Sequence, residues 1–77
     1  MRTIEKFVYQ QIVNLGATKD EVTHTIDNFR RVKSDFTDDC LFKSTRELTR
    51  ETINNLLRTG YIKFDKRKNK YVKNDRH

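Results

Sequence analysis

Apolar residues recur at helical spacing through most of the chain, which places them on one face of an α-helix. The first such segment predicts a helix from about Thr3 to Leu15, with Gly16 at its C-terminal boundary. The face predicted to be buried holds Ile4, Phe7, Val8, Gln11 and Leu15, with Ile12 beside it. Tyr9 and Val13 fall on the opposite side. They indicate either two partly exposed side chains or contact with a second body, such as a second subunit.

A second helix is predicted to begin after Thr18 and to end near Lys33. Thr18 and Glu21 have the capping-box spacing, in which each side chain accepts the other residue's backbone N–H. The apolar stripe of this helix consists of Val22, Ile26, Phe29 and Val32.

Residues 34–43 carry no decisive pattern. A short helix capped by Thr37 fits them, and so does a brief strand from Cys40 to Lys43. In either case the apolar residues of the segment are expected in the core; these are Phe36, Leu41 and Phe42.

A third helix is predicted to end at Thr59, and two starting points are open. Ser44 and Glu47 form a second capping box, whereas Thr49 is a rival N-cap. Under either start the inward face holds Leu48, Thr52, Ile53 and Leu56, with Leu57 at its margin. The outward face holds Glu47, Arg50, Glu51, Asn54 and Arg58.

Residues 60–74 alternate apolar and polar positions, which predicts an antiparallel β-hairpin. A three-residue loop at 67–69 places Phe64 opposite Val72 on the inner face. A two-residue turn pairs Phe64 with Lys73 instead, and this register is disfavoured because it sets a lysine among apolar side chains.

The predicted hairpin loop ends at Asn69, which tolerates the left-handed backbone conformation that such a loop needs. Ile62 shares the inner face with Phe64 and Val72. The outward face holds Tyr61, Lys63, Asp65, Tyr71 and Lys73. The sequence therefore predicts a mostly helical α+β fold, with three main helices followed by a C-terminal hairpin, in a single domain covering 1–77.

The excess positive charge is confined to one end of the chain. The formal net charge is +6, yet residues 1–57 carry nine basic and nine acidic residues. Residues 58–77 carry eight basic residues against Asp65 and Asp75. This asymmetry predicts a polyanionic partner, with nucleic acid ahead of a membrane surface.

Cysteine use and hydropathy set the expected compartment. Cys40 is the single cysteine, so an intrachain disulfide is excluded and a reducing, intracellular setting is expected. The sequence has no long apolar run and no signal-peptide pattern. We expect a cytoplasmic protein without a membrane partner, nucleoid-associated if it binds DNA.

The segment LTRETINNLLRTGYI, residues 48–62, resembles the recognition helix and wing entry of the winged helix-turn-helix superfamily. It has a hydroxyl residue at an N-cap position, then arginine and threonine, then apolar residues, and a Gly-aromatic-Ile step into the hairpin. The resemblance implies double-stranded DNA binding, with helix 46–59 in the major groove and hairpin 61–73 on adjacent backbone or minor groove.

The residue chemistry of the two segments points to the same partner. Arg50 and Asn54 are types that form bidentate contacts with guanine and adenine edges. Thr49 is predicted to hold a phosphate at the helix start, and Arg58 to meet the backbone. The cationic residues of the hairpin are Lys63, Lys66, Arg67, Lys68, Lys70 and Lys73. Such cations make affinity fall steeply with salt.

Other interpretations of these residues stay open. Arg50 and Glu47 also fit a solvated pair, and lysines on a strand edge also prevent strand pairing. Tyr61 and Tyr71 suit base stacking in a single-strand binder, but more often such residues are half-buried in a sheet.

The sequence offers no catalytic site. His24 fits a surface histidine, His77 is the last residue, and Asp38–Asp39 has no third ligand. No nucleophile–base pair, phosphate loop or metal-ligand spacing is present, so neither an enzyme nor a metal or cofactor is predicted.

Two function classes follow. The first is a small DNA-binding regulator of the transcriptional, phage or mobile-element type. The alternative is a protein-interaction module, such as a phage-type inhibitor or modulator of a host nucleic-acid enzyme complex. A homodimer through helix 1, at Tyr9 and Val13, is a further expectation.

Overall fold

The computed structural model describes residues 2–32 and 43–75. Within these residues the elements are α1 (Thr3–Leu15), α2 (Lys19–Val32), α3 (Thr45–Arg58), β1 (Ile62–Asp65) and β2 (Lys70–Lys73). The mostly helical α+β fold, with three helices followed by a hairpin, is thereby confirmed. The helix or strand considered for 34–43 lies outside the described residues, apart from Lys43.

The boundaries of the first two helices follow from their caps. The Gly16 N–H donates to the Ile12 carbonyl at 2.8 Å, and the chain leaves α1 there with a Gly16 φ of 71°. Thr18 and Glu21 accept each other's backbone N–H, both at 3.1 Å. The bond from the Thr18 N–H lowers the pKa of the Glu21 carboxyl. The predicted capping box is therefore confirmed.

The two starting points proposed for the third helix are resolved in favour of Ser44. The Ser44 hydroxyl accepts the Glu47 N–H at 3.1 Å, and α3 begins at Thr45. At the other end, Gly60 donates to the Leu57 carbonyl and Tyr61 to the Leu56 carbonyl, at 3.1 and 3.0 Å. This pair of bonds is a Schellman motif, which ends α3 and turns the chain into β1.

The core lies where the three helices meet the base of the hairpin. Its buried apolar residues are Ile4, Val8, Ile12, Ala17, Val22, Ile26, Phe29, Leu48, Ile53, Leu56 and Ile62. The inward faces predicted for α2 and α3 are largely confirmed. The face predicted for α1 is wrong at Phe7 and at Leu15, which are 46% and 83% exposed. The chain leaves the helix at Gly16, and the fully buried Ala17 enters the core instead.

The apolar residues on the second side of α1 meet the hairpin of the same chain. The Tyr9 ring packs edge-on against Tyr61, with ring centroids 5.5 Å apart. Val13 is half-buried and lines a groove together with Val72. This second body accounts for the pattern without a second subunit. The homodimer stays a prediction that these contacts do not require.

The register predicted for the hairpin is wrong by one residue. Phe64 is opposite Tyr71 rather than Val72, and Asp65 is opposite Lys70, so the loop has four residues, Lys66–Asn69. The difference arises at Asp65, whose Oδ1 accepts the backbone N–H groups of Arg67 and Lys68, at 2.9 and 3.3 Å. An aspartate in this role starts the turn one residue earlier.

The corrected register changes which side chains share a face. Directly opposed residues of an antiparallel pair point to the same side. Tyr71 therefore joins Phe64, their rings 5.1 Å apart, and Val72 shares the other face with Lys63. The outward placement predicted for Tyr71 and the inner placement predicted for Val72 are therefore wrong. The left-handed conformation predicted for Asn69 is confirmed by its φ of 56°.

A single-residue bridge attaches the hairpin to the helices. Ala17 donates its N–H to the Tyr71 carbonyl at 3.0 Å, and Tyr71 donates to the Ala17 carbonyl at 2.7 Å. β2 consequently has hydrogen-bonded neighbours on both sides, β1 and Ala17. The sequence pattern gave no sign of this contact.

Thr52 provides a stability prediction for the core. Its side chain is fully buried, and its hydroxyl has no hydrogen-bond partner among the described residues. Valine has nearly the same shape and no hydroxyl to desolvate, so Thr52→Val should raise the free energy of unfolding by about 1 kcal/mol in urea denaturation.

Thr49→Val is the matched control for this prediction. Thr49 is equally buried, but its hydroxyl donates to the Thr45 carbonyl at 2.8 Å. Its replacement removes a hydrogen bond and should bring no gain in stability. Equal effects of the two substitutions would contradict the role assigned to the Thr52 hydroxyl.

Candidate nucleic-acid interface

One side of α3 presents a line of polar side chains to solvent. Arg46, Arg50 and Asn54 follow one another a helical turn apart, and all three are exposed. We call these residues the α3 strip. Within 2–32 and 43–75 their side chains form no hydrogen bond or ion pair. The helix therefore holds two cations and an amide ready for an external partner.

Arg46 is a member of the strip that the sequence analysis did not assign to either face. Its position depends on where the helix starts, and that start was open. With Ser44 as the N-cap, Arg46 lies in the first turn of α3, one helical turn before Arg50 and on the same side of the helix. The Ser44–Glu47 capping box was the signal that identifies it.

Thr49 is not part of this surface, which corrects the prediction that it holds a phosphate. Because α3 begins at Thr45, Thr49 lies a turn inside the helix rather than at its N-cap. Its side chain is fully buried, and its hydroxyl is occupied by the Thr45 carbonyl.

One of the two acidic residues on the outward face of α3, Glu51, is paired with cations of the same chain. Glu51 accepts hydrogen bonds from Lys43 and from Arg2, the latter at 2.9 Å. Both bonds lower the pKa of the Glu51 carboxyl, and the bond from Lys43 has the larger effect. Arg2 also donates to Glu5 at 2.9 Å, and that bond raises the pKa of the Arg2 guanidinium. Glu51 is consequently occupied by these two cations, whereas the exposed Glu47 lies beside Arg46 and three residues before Arg50.

Arg58 lies at the C-terminal end of the same helix and is exposed, as predicted. Its guanidinium donates to the Asn55 side-chain carbonyl at 3.2 Å. Asn55 is in turn oriented toward Glu5, to which its amide donates at 3.4 Å. Arg58 is thus held close to its own helix, whereas the arginines of the strip extend freely.

The loop of the hairpin is a compact group of cations. Lys66, Arg67 and Lys68 are all exposed, and none of their side chains has an ion-pair partner among the described residues. We call these three residues the basic tip. The carboxylate of Asp65 is engaged with the loop backbone and shapes the turn that carries them.

The other predicted hairpin cations lie along the strands. Lys63 and Lys73 are exposed and Lys70 is half-buried, and all three border the groove beside α1. Lys63 has a distant ion pair with Asp75, at 3.8 Å. The structure thus separates the predicted cations into the basic tip and a set that faces α1, although Lys68 also reaches the groove rim.

The hairpin tyrosines do not form an open stacking platform. Tyr61 is half-buried against Tyr9, and Tyr71 is half-buried against the core and Phe64. This agrees with the interpretation of both as sheet residues. Phe64 is the hairpin aromatic with the larger exposure, 44%.

No protein-family model, curated protein or solved structure matches this chain. In the part of the chain that the structure describes, no helix is long and apolar enough to cross a membrane. Among those same residues, no three histidine, cysteine or acidic side chains come together as metal ligands would. The assignment of function therefore depends on the geometry and chemistry of the chain itself.

Proposed function

We propose that this protein is a small DNA-binding regulator that binds duplex DNA through α3 and the hairpin. The α3 strip carries the side chains suited to reading a major groove, arginine for guanine and asparagine for adenine. The basic tip carries the charge suited to phosphates. The observation that supports this most directly is that strip and tip are exposed and without partners among the described residues.

The arrangement of the elements supports the winged helix-turn-helix resemblance of 48–62. A Schellman motif leads from α3 directly into β1, and the Ala17 bridge attaches the hairpin to the start of α2. α2 packs against α3. A helix with an exposed polar face is thereby followed by a basic hairpin anchored to the helices. The regulatory role, and a phage or mobile-element setting, are part of this proposal.

The proposal predicts that Arg50→Ala weakens binding to duplex DNA, and that the loss of affinity depends on the DNA sequence. A preferred site is first selected from a random duplex pool, and binding is then measured by fluorescence anisotropy. Loss of one bidentate arginine contact should weaken binding to that site about tenfold to a hundredfold, while binding to unrelated duplex changes less. Because Arg50 has no partner among the described residues, folding should be unaffected.

Arg31→Ala is the matched control. Arg31 is also an exposed helical arginine, but it lies on α2 and pairs with Asp27 at 3.2 Å. Its removal should change affinity little. The proposal fails if no duplex binds at low salt, if single strands bind more tightly than duplex, or if both arginine variants bind alike.

A further inference from the structure

A groove of about 760 Å³ runs between the C-terminal end of α1 and the hairpin. Its α1 side is formed by Ile12–Gly16, and its hairpin side by residues of both strands. The α3 strip, Lys66 and Arg67 do not line it. The groove is consequently a surface distinct from most of the proposed DNA interface, and only Lys68 belongs to both.

Part of the lining of the groove is apolar. Ile12 is buried beneath it, and Val13 and Val72 are half-buried on its two sides. Leu15 stands at the mouth with 83% of its surface exposed. An exposed leucine alone is ordinary, but this one lines a groove together with two half-buried valines. An occupant with an apolar side chain would cover it.

The rim of the groove is cationic. Four lysines line it, namely Lys63, Lys68, Lys70 and Lys73, against Asp65 and Asp75. The Asp65 carboxylate is engaged with the loop backbone, and Asp75 lies near Lys63. Within the described residues, Lys68, Lys70 and Lys73 have no ion-pair partner within 4.0 Å. Lys70 has an acidic neighbour, Glu21, whose carboxyl pKa it helps to lower. The rim therefore favours an anionic occupant.

We propose that this groove binds an acidic peptide segment of a partner protein, with an apolar residue against Val13, Leu15 and Val72 and flanking carboxylates on the lysines. Charge complementarity selects an acidic partner, and the apolar part of the lining selects a peptide over a nucleic-acid backbone. A duplex presents phosphates and sugars there and would leave the valines and Leu15 uncovered. The volume lies within the usual range of about 300–1,000 Å³ for ligand sites. This inference goes beyond DNA binding and does not depend on it.

The test measures binding of the full chain to a fluorescein-labelled synthetic peptide. In this peptide, leucines are separated by pairs of aspartates. Anisotropy at moderate salt should show saturable binding. Leu15→Ser should weaken it about tenfold, because apolar burial worth about 1.4 kcal/mol is lost. Lys70→Glu should weaken it by a similar factor. Leu15→Ser leaves the core intact, which circular dichroism verifies.

Two controls separate this site from the DNA surface. A peptide with serines in place of the leucines should bind at least tenfold more weakly, and Arg50→Ala should leave peptide binding unchanged. Equal binding of the leucine and serine peptides would overturn the inference, since charge alone would then explain it. Absence of peptide binding would also overturn it, as would an equal loss of duplex binding on Leu15→Ser, which would assign the groove to DNA.

Discussion

Reversal of two charges at the basic tip, in the double variant Arg67→Glu with Lys68→Glu, is expected to reduce duplex affinity at least a hundredfold. Both side chains are exposed and have no ion-pair partner among the described residues, so the loss is attributed to phosphate contacts. Loss of two such contacts should also lower the slope of log affinity against log salt by about 2 units. Anisotropy titrations over a salt series measure both quantities.

The control for this variant changes the net charge equally elsewhere. Lys6→Glu with Arg31→Glu alters exposed residues of α1 and α2. Each substitution removes one positive charge and adds one negative charge, so both double variants go from +6 to +2. The control should retain most of the affinity and the salt slope. If the two double variants lose affinity equally, binding follows overall charge and the basic tip is not the contact surface.

The second large effect is expected at Gly16, where Gly16→Ala should destabilise the fold by about 3 kcal/mol. Its backbone, at φ 71° and ψ 160°, lies in a region adopted almost only by glycine. A Cβ there would also lie 3.3 Å from the Tyr71 carbonyl oxygen, which accepts the Ala17 N–H of the bridge. Urea denaturation followed by circular dichroism gives the change in unfolding free energy.

Gly60→Ala is the comparison for the Gly16 prediction. Gly60 also has a positive φ, 82°, within the Schellman motif that ends α3. Its replacement should cost about 1–2 kcal/mol of stability from backbone strain. An unfolding midpoint for Gly16→Ala equal to that of the unsubstituted chain would contradict the tight approach of the hairpin to this position.

Local signals in the sequence were sufficient for the helices. Gly16 and the Thr18–Glu21 capping box fixed the junction of α1 and α2, because caps depend on residues close in sequence. The start of α3 was left open because two hydroxyl residues competed for the N-cap, and the structure has Ser44 in that position. Thr49 was consequently misplaced on the surface, and Arg46 was overlooked.

The hairpin shows where pattern analysis stops. The alternation of apolar and polar residues predicted two strands, but it did not determine their register, which depends on where the turn begins. The side chain of Asp65 binds the loop backbone, and the turn begins one residue earlier than expected. Contacts between distant parts of the chain carried no pattern at all. Neither the Ala17 bridge nor the pairing of Arg2 with Glu51 has a sequence signature, because each involves single residues brought together by the whole fold.

The attachment of Tyr71 to Ala17 has a consequence for the energetics of association. A hairpin without hydrogen bonds to the rest of its domain would move relative to the helices, and a ligand would have to restrict that motion on binding. Here β2 is hydrogen-bonded on both sides, to β1 and to Ala17, which restrains that motion before any ligand binds. For the proposed ligands, the entropic penalty of binding should then fall mainly on the long side chains of the loop.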